Sequence, residues 1–66
     1  MERTESDDDL MLISEVSEMT RLPVDTIRWH RHRGTGPPGF KLGRHVVFRR
    51  GAVRQWIKER EQADVR

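Results

Sequence analysis

Cysteine and tyrosine are both absent from this sequence of 66 residues. Without cysteine the chain has neither a disulfide framework nor a thiolate zinc site. The only serines are Ser6, Ser14 and Ser17, whereas a covalent strand-exchange enzyme needs a serine or tyrosine nucleophile inside a basic pocket. The glycine-rich stretch at 34–39 is not followed by the Gly-Lys-Ser/Thr of a phosphate-binding loop. We therefore expect a protein that is not an enzyme and needs no cofactor.

Long apolar runs are missing as well. No run approaches the roughly 18 residues needed to span a bilayer, and no signal-peptide pattern opens the chain, so we expect a cytoplasmic protein. A chain of this length forms one domain, close to the lower limit for folding without disulfides or metals. Such a domain depends on one small core, supported by its ligand or by further copies of itself.

Charge is divided unevenly along the chain. Residues 1–9 carry five acids against one base, a net charge of −4, whereas residues 21–54 carry nine bases against one acid, a net charge of +8. The nine bases are Arg21, Arg28, Arg31, Arg33, Lys41, Arg44, Arg49, Arg50 and Arg54. Self-repulsion of this size destabilises a compact fold unless a partner compensates it. Double-stranded DNA, with one negative charge per roughly 1.7 Å of its axis, is the polyanion that fits best.

The first half of the chain predicts two short helices. The first is expected over Ser14–Arg21, with Ser14 as its N-cap or with a start one or two residues earlier. The second is expected over Val24–Arg33, because Pro23 suits the start of a helix and Gly34 suits its end. Two short helices joined by so tight a turn form a helix-turn-helix unit.

Two short apolar runs around a glycine-containing turn predict a β-hairpin after the second helix. The runs are residues 40–42 and 45–48, joined by Gly43 and Arg44. The side chains expected on one common face are Phe40, Leu42, Val46 and Phe48. A two-stranded hairpin is marginally stable by itself, so we expect it to pack on the helices.

A last helix and two termini complete the predicted organisation. The helix is expected from Gly51 to about Glu61, because apolar side chains recur there at helical spacing. Residues 1–9 are expected to form a disordered acidic tail, and residues 62–66 are expected to fray. The predicted fold class is therefore mostly α with a small β-hairpin, a winged helix-turn-helix domain over residues 10–61.

The outer side of the second helix is the predicted reading surface. Ile27 has to be buried against the first helix, with Val24 and either His30 or Arg31 beside it. The residues left on the outer side are Asp25, Thr26, Arg28, Trp29 and His32. A major groove about 12 Å wide accepts one helix, so these side chains would reach base edges.

Three of these side chains have distinct chemistry toward DNA. Arg28 has the forked donor geometry that matches guanine. Thr26 suits a phosphate or a thymine methyl group, and Asp25 accepts a hydrogen bond from cytosine or holds an arginine in place. The helix is therefore expected to contribute sequence specificity.

The two tryptophans have different interpretations. Trp29 lies on the charged face of a short helix, where it either packs under the hairpin as part of the core or lies against the sugar–phosphate backbone. Trp56 recurs with Val53 and Ile57 at core spacing and is interpreted as structural.

The hairpin tip is predicted to be a second DNA-contacting element. Arg44 and His45 project from a tight turn, and a cation in this position enters a narrow minor groove or lies on phosphates. Further basic residues are predicted to clamp the backbone without reading sequence. These clamps are Arg31, Arg33, Lys41, Arg49 and Arg50.

Histidine does not indicate a metal site. His30, His32 and His45 have no HExxH spacing and no cysteine to complete a tetrahedron. Each is expected to line the core or to contact a phosphate, and no metal is expected.

Four motifs carry a family resemblance over about residues 11–58. They are Arg-His-Arg-Gly-Thr-Gly-Pro-Pro at 31–38, Lys-Leu-Gly-Arg at 41–44, Val-Phe-Arg-Arg at 47–50 and Trp-Ile at 56–57. With them the chain resembles the excisionase and AlpA-type family, small winged helix-turn-helix proteins related to the DNA-binding domain of MerR regulators. The resemblance implies that the second helix enters the major groove and that the hairpin is the wing. It marks Thr26, Arg28, Trp29 and Arg44 as DNA-contacting.

Three positions depart from the pattern of that family. His30 stands where a core aliphatic or aromatic residue is common, which is expected to loosen that side of the helix. Gly51 stands where an acidic residue or serine is usual, so the last helix is expected to have a weak cap. Pro23 replaces a turn serine, which keeps the geometry but removes a side-chain cap.

The resemblance implies a phage or mobile-element excisionase, nucleoid-associated in a bacterial host. Such a protein binds and bends attachment-site DNA so that a separate integrase assembles the excision complex. Bending costs on the order of 1–6 kcal/mol, so we expect several copies to bind cooperatively, in a head-to-tail arrangement. A small AlpA/MerR-type transcriptional regulator is the alternative, and an adaptor for an acidic protein is a third. No effector-binding region follows Ile57, so no small-molecule effector is expected.

Overall fold

The computed structural model describes residues 6–64 of the chain, which form three helices and a three-stranded antiparallel sheet. In chain order the elements are β1 (Leu10–Leu12), α1 (Ile13–Thr20), α2 (Val24–Arg33), β2 (Gly39–Leu42), β3 (His45–Arg49) and α3 (Arg50–Asp64). The predicted winged helix-turn-helix fold is confirmed. The helices and the hairpin stand in the predicted order, and one strand is additional.

The additional strand is β1, which pairs antiparallel with β3 and places β3 at the centre of the sheet, in the order β1-β3-β2. The sequence analysis expected structure to begin at Leu10 but did not predict a strand there. Three residues are too few to show the alternation by which a strand is predicted. Pairing with β3 makes Leu10–Leu12 extended, so tertiary contact decided this element.

The predicted helix-turn-helix is present, and its second helix has the predicted bounds. α1 begins at Ile13, and Ser14 is not its N-cap, since the Glu15 carboxylate accepts the backbone N–H of Leu12 at 2.7 Å. The turn contains Arg21 in the left-handed region, with φ of 64°. The Ser17 hydroxyl donates to the Leu22 carbonyl across this turn, which ties the end of α1 to the residues before α2.

The prediction that Phe40, Leu42, Val46 and Phe48 share one face of the hairpin is wrong. A two-residue turn at Gly43 and Arg44 pairs Leu42 with His45 and Phe40 with Val47. Phe40 and Leu42 therefore share a face with Val47 and not with Phe48. Because the side-chain period in a strand is two, this register puts Phe48 on the opposite face, where it is fully buried.

The core lies between that face of the sheet and the helices. Its buried side chains, none more than 2 % exposed, are Met11, Val16, Ile27, Phe48 and Val53. They come from β1, α1, α2, β3 and α3, so almost every element contributes one residue. Gly39 of β2 contributes space, since a Cβ there would meet the Phe48 ring at 2.6 Å.

Part of the predicted acidic tail is folded. Residues 6–9 form a turn, in which the Asp9 N–H donates to the Ser6 carbonyl at 3.0 Å. The carbonyls of Asp7 and Asp9 accept the N–H groups of Gly51 and Arg50, each at 2.9 Å. These are two of the donors that a helix leaves unsatisfied at its N-terminus. The turn is therefore ordered because it caps α3; residues 1–5 lie outside the described part of the chain.

The acidic turn compensates for the weak cap expected at Gly51. A Cβ at this position would lie 2.7 Å from the Cβ of Asp7, so glycine allows the turn to approach the helix closely. α3 also continues to Asp64, three residues beyond the predicted end. Residues 62–64 are thus helical, and the predicted fraying at 65–66 falls outside the described residues.

Substitution of Gly39 tests the packing under Phe48. We expect Gly39→Ala to lower the free energy of unfolding by about 1–3 kcal/mol, because the added Cβ overlaps a buried ring and lies 3.0 Å from the Val47 carbonyl. Denaturant unfolding measures the change. Lys41→Ala, on the same strand and exposed, is the control and should change stability by less than about 0.5 kcal/mol. Equal effects of the two changes would contradict this packing.

Candidate nucleic-acid interface

A groove of about 500 Å³ lies between the start of α1, one side of α2 and the tip of the hairpin. Its lining residues are Leu12, Ile13, Ser14, Arg28, Arg31, His32, Arg44, His45 and Val46. Residues 31 and 44 are far apart in sequence, so the fold itself brings the helix and the wing tip to one site. Five of the predicted DNA-contacting residues meet here.

The groove is lined by cationic and neutral groups only. Arg28, Arg31 and Arg44 contribute guanidinium groups, and His32 and His45 add two imidazoles. A concave surface with charge of one sign focuses the potential and attracts a polyanion. The groove can therefore hold a chain of phosphates between the helix and the wing.

The outward surface of α2 adjoins this groove. At about 100° per residue, Asp25, Trp29 and His32 lie roughly opposite the buried Ile27. Arg28 and His32 also line the groove, so the two surfaces meet along α2, and the Arg28 Nη1 lies 3.5 Å from the Asp25 carboxylate. Such an exposed pair contributes little to stability, but it restricts where the guanidinium points.

Trp29 is 54 % exposed and does not pack under the hairpin. Its ring meets His30 edge-on, with centroids 4.9 Å apart, and Arg33 lies 4.8 Å from its centroid. These contacts hold the indole on the outer surface of α2. Of the two placements considered from the sequence, the core placement is wrong, and contact with the sugar–phosphate backbone stays a prediction.

His30 is the inward-facing residue at the end of α2, and it ties the helix to α3. Its Nδ1 is hydrogen-bonded to the Thr35 hydroxyl at 2.8 Å, and its ring meets Trp56 edge-on at 5.6 Å. Trp56 in turn donates from Nε1 to the Thr35 carbonyl at 2.9 Å. This side of α2 is therefore well connected, which differs from the loosening expected of a histidine there.

Two further predicted contact residues lie outside the groove. Thr26 is half-buried and is about 200° around the helix from Arg28, so it faces away from the groove. Lys41 is exposed and pairs across the hairpin with Val46, which lines the groove. Contact of both residues with DNA stays a prediction, and neither lies with the five residues that line the groove.

Arg49 is not part of the groove. It lies at the opposite end of β3 from the hairpin turn, where its Nη1 donates to the Asp8 carbonyl at 2.6 Å. Its guanidinium also stands 5.9 Å from the centre of the Phe40 ring. Because these intramolecular contacts occupy it, the structure gives Arg49 a role in anchoring the acidic turn, rather than the clamp expected from the sequence.

The end of β1 and the first turn of α1 also belong to this site, which was not predicted from the sequence. Leu12, Ile13 and Ser14 line the groove, and Ser14 is exposed there. Its hydroxyl was interpreted as a helix cap, because serine before a helical pattern usually is one. No signal within one element shows that α1 faces the wing.

Residues 6–64 contain no group of three or more histidine, cysteine or acidic side chains placed to hold a metal ion. None of the helices described is long and apolar enough to cross a membrane.

Arg44 and Arg49 provide a matched test of the groove. We expect Arg44→Ala to weaken binding to duplex DNA and to reduce the slope of log K against log salt by about one, because one cation that displaces counterions from the duplex is lost. Arg49→Ala should leave this slope nearly unchanged, since its guanidinium bonds to Asp8. Fluorescence anisotropy at several salt concentrations measures both. An equal loss of slope in the two variants would contradict the assignment.

Comparison with known proteins agrees with this architecture. Residues 10–61 match a protein family described as a helix-turn-helix domain, and the match spans well over half of the chain. No curated protein and no solved structure matches the chain. With a family match of this extent, a helix-turn-helix and a basic groove beside its second helix, the chain belongs to the helix-turn-helix domain family and is a DNA-binding domain.

Proposed function

We propose that this protein is an excisionase of a phage or another mobile element. It binds attachment-site DNA, several copies side by side, and bends the duplex. The bend favours the excision complex of a separate integrase over the integration complex, in the cytoplasm of a bacterial host. The protein itself catalyses no step and needs no cofactor.

The observation that carries this proposal is the groove between α2 and the wing tip. Arg28, Arg31 and Arg44 line it from two elements, and no carboxylate is among its lining residues. One strand of the duplex follows the groove, with α2 in the major groove on one side and the wing at the adjacent minor groove. A domain that grips the backbone from both sides can stabilise a bent duplex.

We propose that the side chains of the site have different tasks toward DNA. Arg28 and Asp25 form the pair that reads bases, with the carboxylate aiming the guanidinium at guanine. Trp29 and Thr26 contact the sugar–phosphate backbone at the edges of α2. Arg31, His32, Lys41 and His45 neutralise phosphates, and Arg44 enters the minor groove.

Arg28 and Lys41 test this division. Arg28→Ala is expected to cost roughly 1–3 kcal/mol of binding free energy and to flatten sequence preference, because a base contact is lost. Lys41→Ala should weaken binding to all duplexes alike and lower the salt slope by about one. Competition among duplexes selected from a random library measures both effects. Loss of specificity to the same degree in both variants would show that the two residues do not divide the task.

Excision is tested in a reconstituted reaction. The genomic segment that flanks the gene is searched for attachment-site DNA and for an integrase gene, and both are used in the reaction. We expect excision to require this protein and integration to be inhibited by it, and circular permutation of the bound duplex to show bending. Arg44→Ala is the matched variant and should reduce excision in proportion to DNA occupancy. If excision proceeds unchanged without the protein while it still represses a nearby promoter, a small AlpA-type regulator is the better assignment.

A further inference from the structure

The outer face of the sheet is apolar, and within residues 6–64 the helices pack on the other face. Among the described residues five large apolar side chains are classed as exposed, and four of them lie on this face: Leu10 at 41 %, Leu12 at 44 %, Phe40 at 41 % and Leu42 at 53 %. The strand register places them on one side, around Val47, which is itself buried at 5 % exposure. We call these four residues and Val47 the outer sheet face.

The hydrophobic core lies on the other side of the sheet and does not cover this face. The buried side chains of α1, α2 and α3 pack with Met11 and Phe48, which point to the other side of the sheet. The ionisable side chains on the outer side are His45 and Arg49, at opposite ends of β3. A contiguous exposed apolar patch on a small soluble domain marks an interaction surface. Charged phosphates make no favourable contact with leucine side chains, so the partner of this face is a protein and not DNA.

A second copy of this chain is the partner that the observations favour, and we propose that two copies pack outer sheet face to outer sheet face. The one other exposed large apolar side chain in the described part is Trp29, on the DNA-facing surface of α2. Within residues 6–64 the outer sheet face is therefore the one cluster of exposed large apolar side chains that a second copy offers, so the contact is two-fold.

The size of the face explains how such a pair would form. Four half-exposed side chains make a patch on the order of a few hundred Å², whereas a stable complex buries about 1,200–2,000 Å² in total. Two copies consequently do not pair stably in solution. Binding to neighbouring DNA sites raises their effective concentration, so that a small interface suffices.

The outer sheet face is continuous with the DNA groove. Leu12 belongs to the face and also lines the groove, and His45 lies opposite Leu42 while lining the groove as well. Two chains joined through this face would therefore hold adjacent segments of one duplex. This inference rests on the proposed DNA binding, and it replaces the head-to-tail arrangement expected from the sequence with a two-fold one that requires inverted half-sites.

The test compares one site with two. Duplexes selected from a random library by the wild-type protein supply the single site, and two copies of it are then placed as inverted or direct repeats at several helical spacings. On a suitably spaced inverted repeat we expect the second wild-type molecule to bind roughly tenfold more tightly, within the usual range of coupling between sites. Without DNA, sedimentation should show a monomer.

Leu42→Ser and Lys41→Ser are matched variants on one strand with opposite faces. Leu42→Ser should keep wild-type affinity for one site and lose cooperativity, whereas Lys41→Ser should bind one site less tightly and keep cooperativity. Cooperativity on direct repeats only, or unaltered cooperativity in Leu42→Ser, overturns the inference. So does a loss of thermal stability in Leu42→Ser, which would mean that the chain itself covers the face. Failure of the wild-type protein to bind any selected duplex would instead overturn the proposed function on which the inference rests.

Discussion

Burial of Phe48 is the constraint on which the rest of the structure depends. Its ring is fully buried, between the helices and the space left by Gly39, and β3 carries it at the centre of the sheet. Fixing this side chain fixes which face of β3 looks inward, and therefore the register of β1 and β2. α3 begins directly after β3, so its direction follows too. The wing tip thereby comes to lie opposite α2, so the basic groove is a consequence of the burial of Phe48.

The carboxylates of the acidic turn lie close to basic side chains at the start of α3, away from the groove. The acidic turn at 6–9 lies at the start of α3, where its carbonyls cap the helix and Asp8 engages Arg49. Asp7 and Asp9 lie within 4.0 Å of Arg54 and Arg50, exposed or partly exposed contacts that individually contribute little. Their combined effect is to leave uncompensated positive charge at the other end of the molecule, beside α2 and Arg44, which is where an anionic duplex gains most from it.

Much of the fold follows from local chemistry. Pro23 and Gly34 bound α2 because one favours the start of a helix and the other adopts the left-handed conformation at its end, with φ of 74°. The turn at Gly43 and Arg44 was likewise predictable. What could not be predicted depends on partners distant in sequence: β1 is extended only because β3 pairs with it, and Phe40 faces outward only because of the hairpin register. Trp29 is a further example: the sequence predicted that it lies in a helix, but not whether its side chain is exposed.

The sequence by itself determined a small basic domain with a helix-turn-helix, a hairpin and a last helix, since caps, turns and charge are properties of neighbouring residues. It also singled out the side chains of α2 and the wing that carry positive charge. Only the tertiary structure decided that five of them share one groove with Ser14, that Arg49 belongs with the acidic turn, and that the outer side of the sheet is apolar. The physical reason is the same in each case: a side chain's neighbours across a sheet or between helices are set by register and packing, which no short stretch of sequence contains.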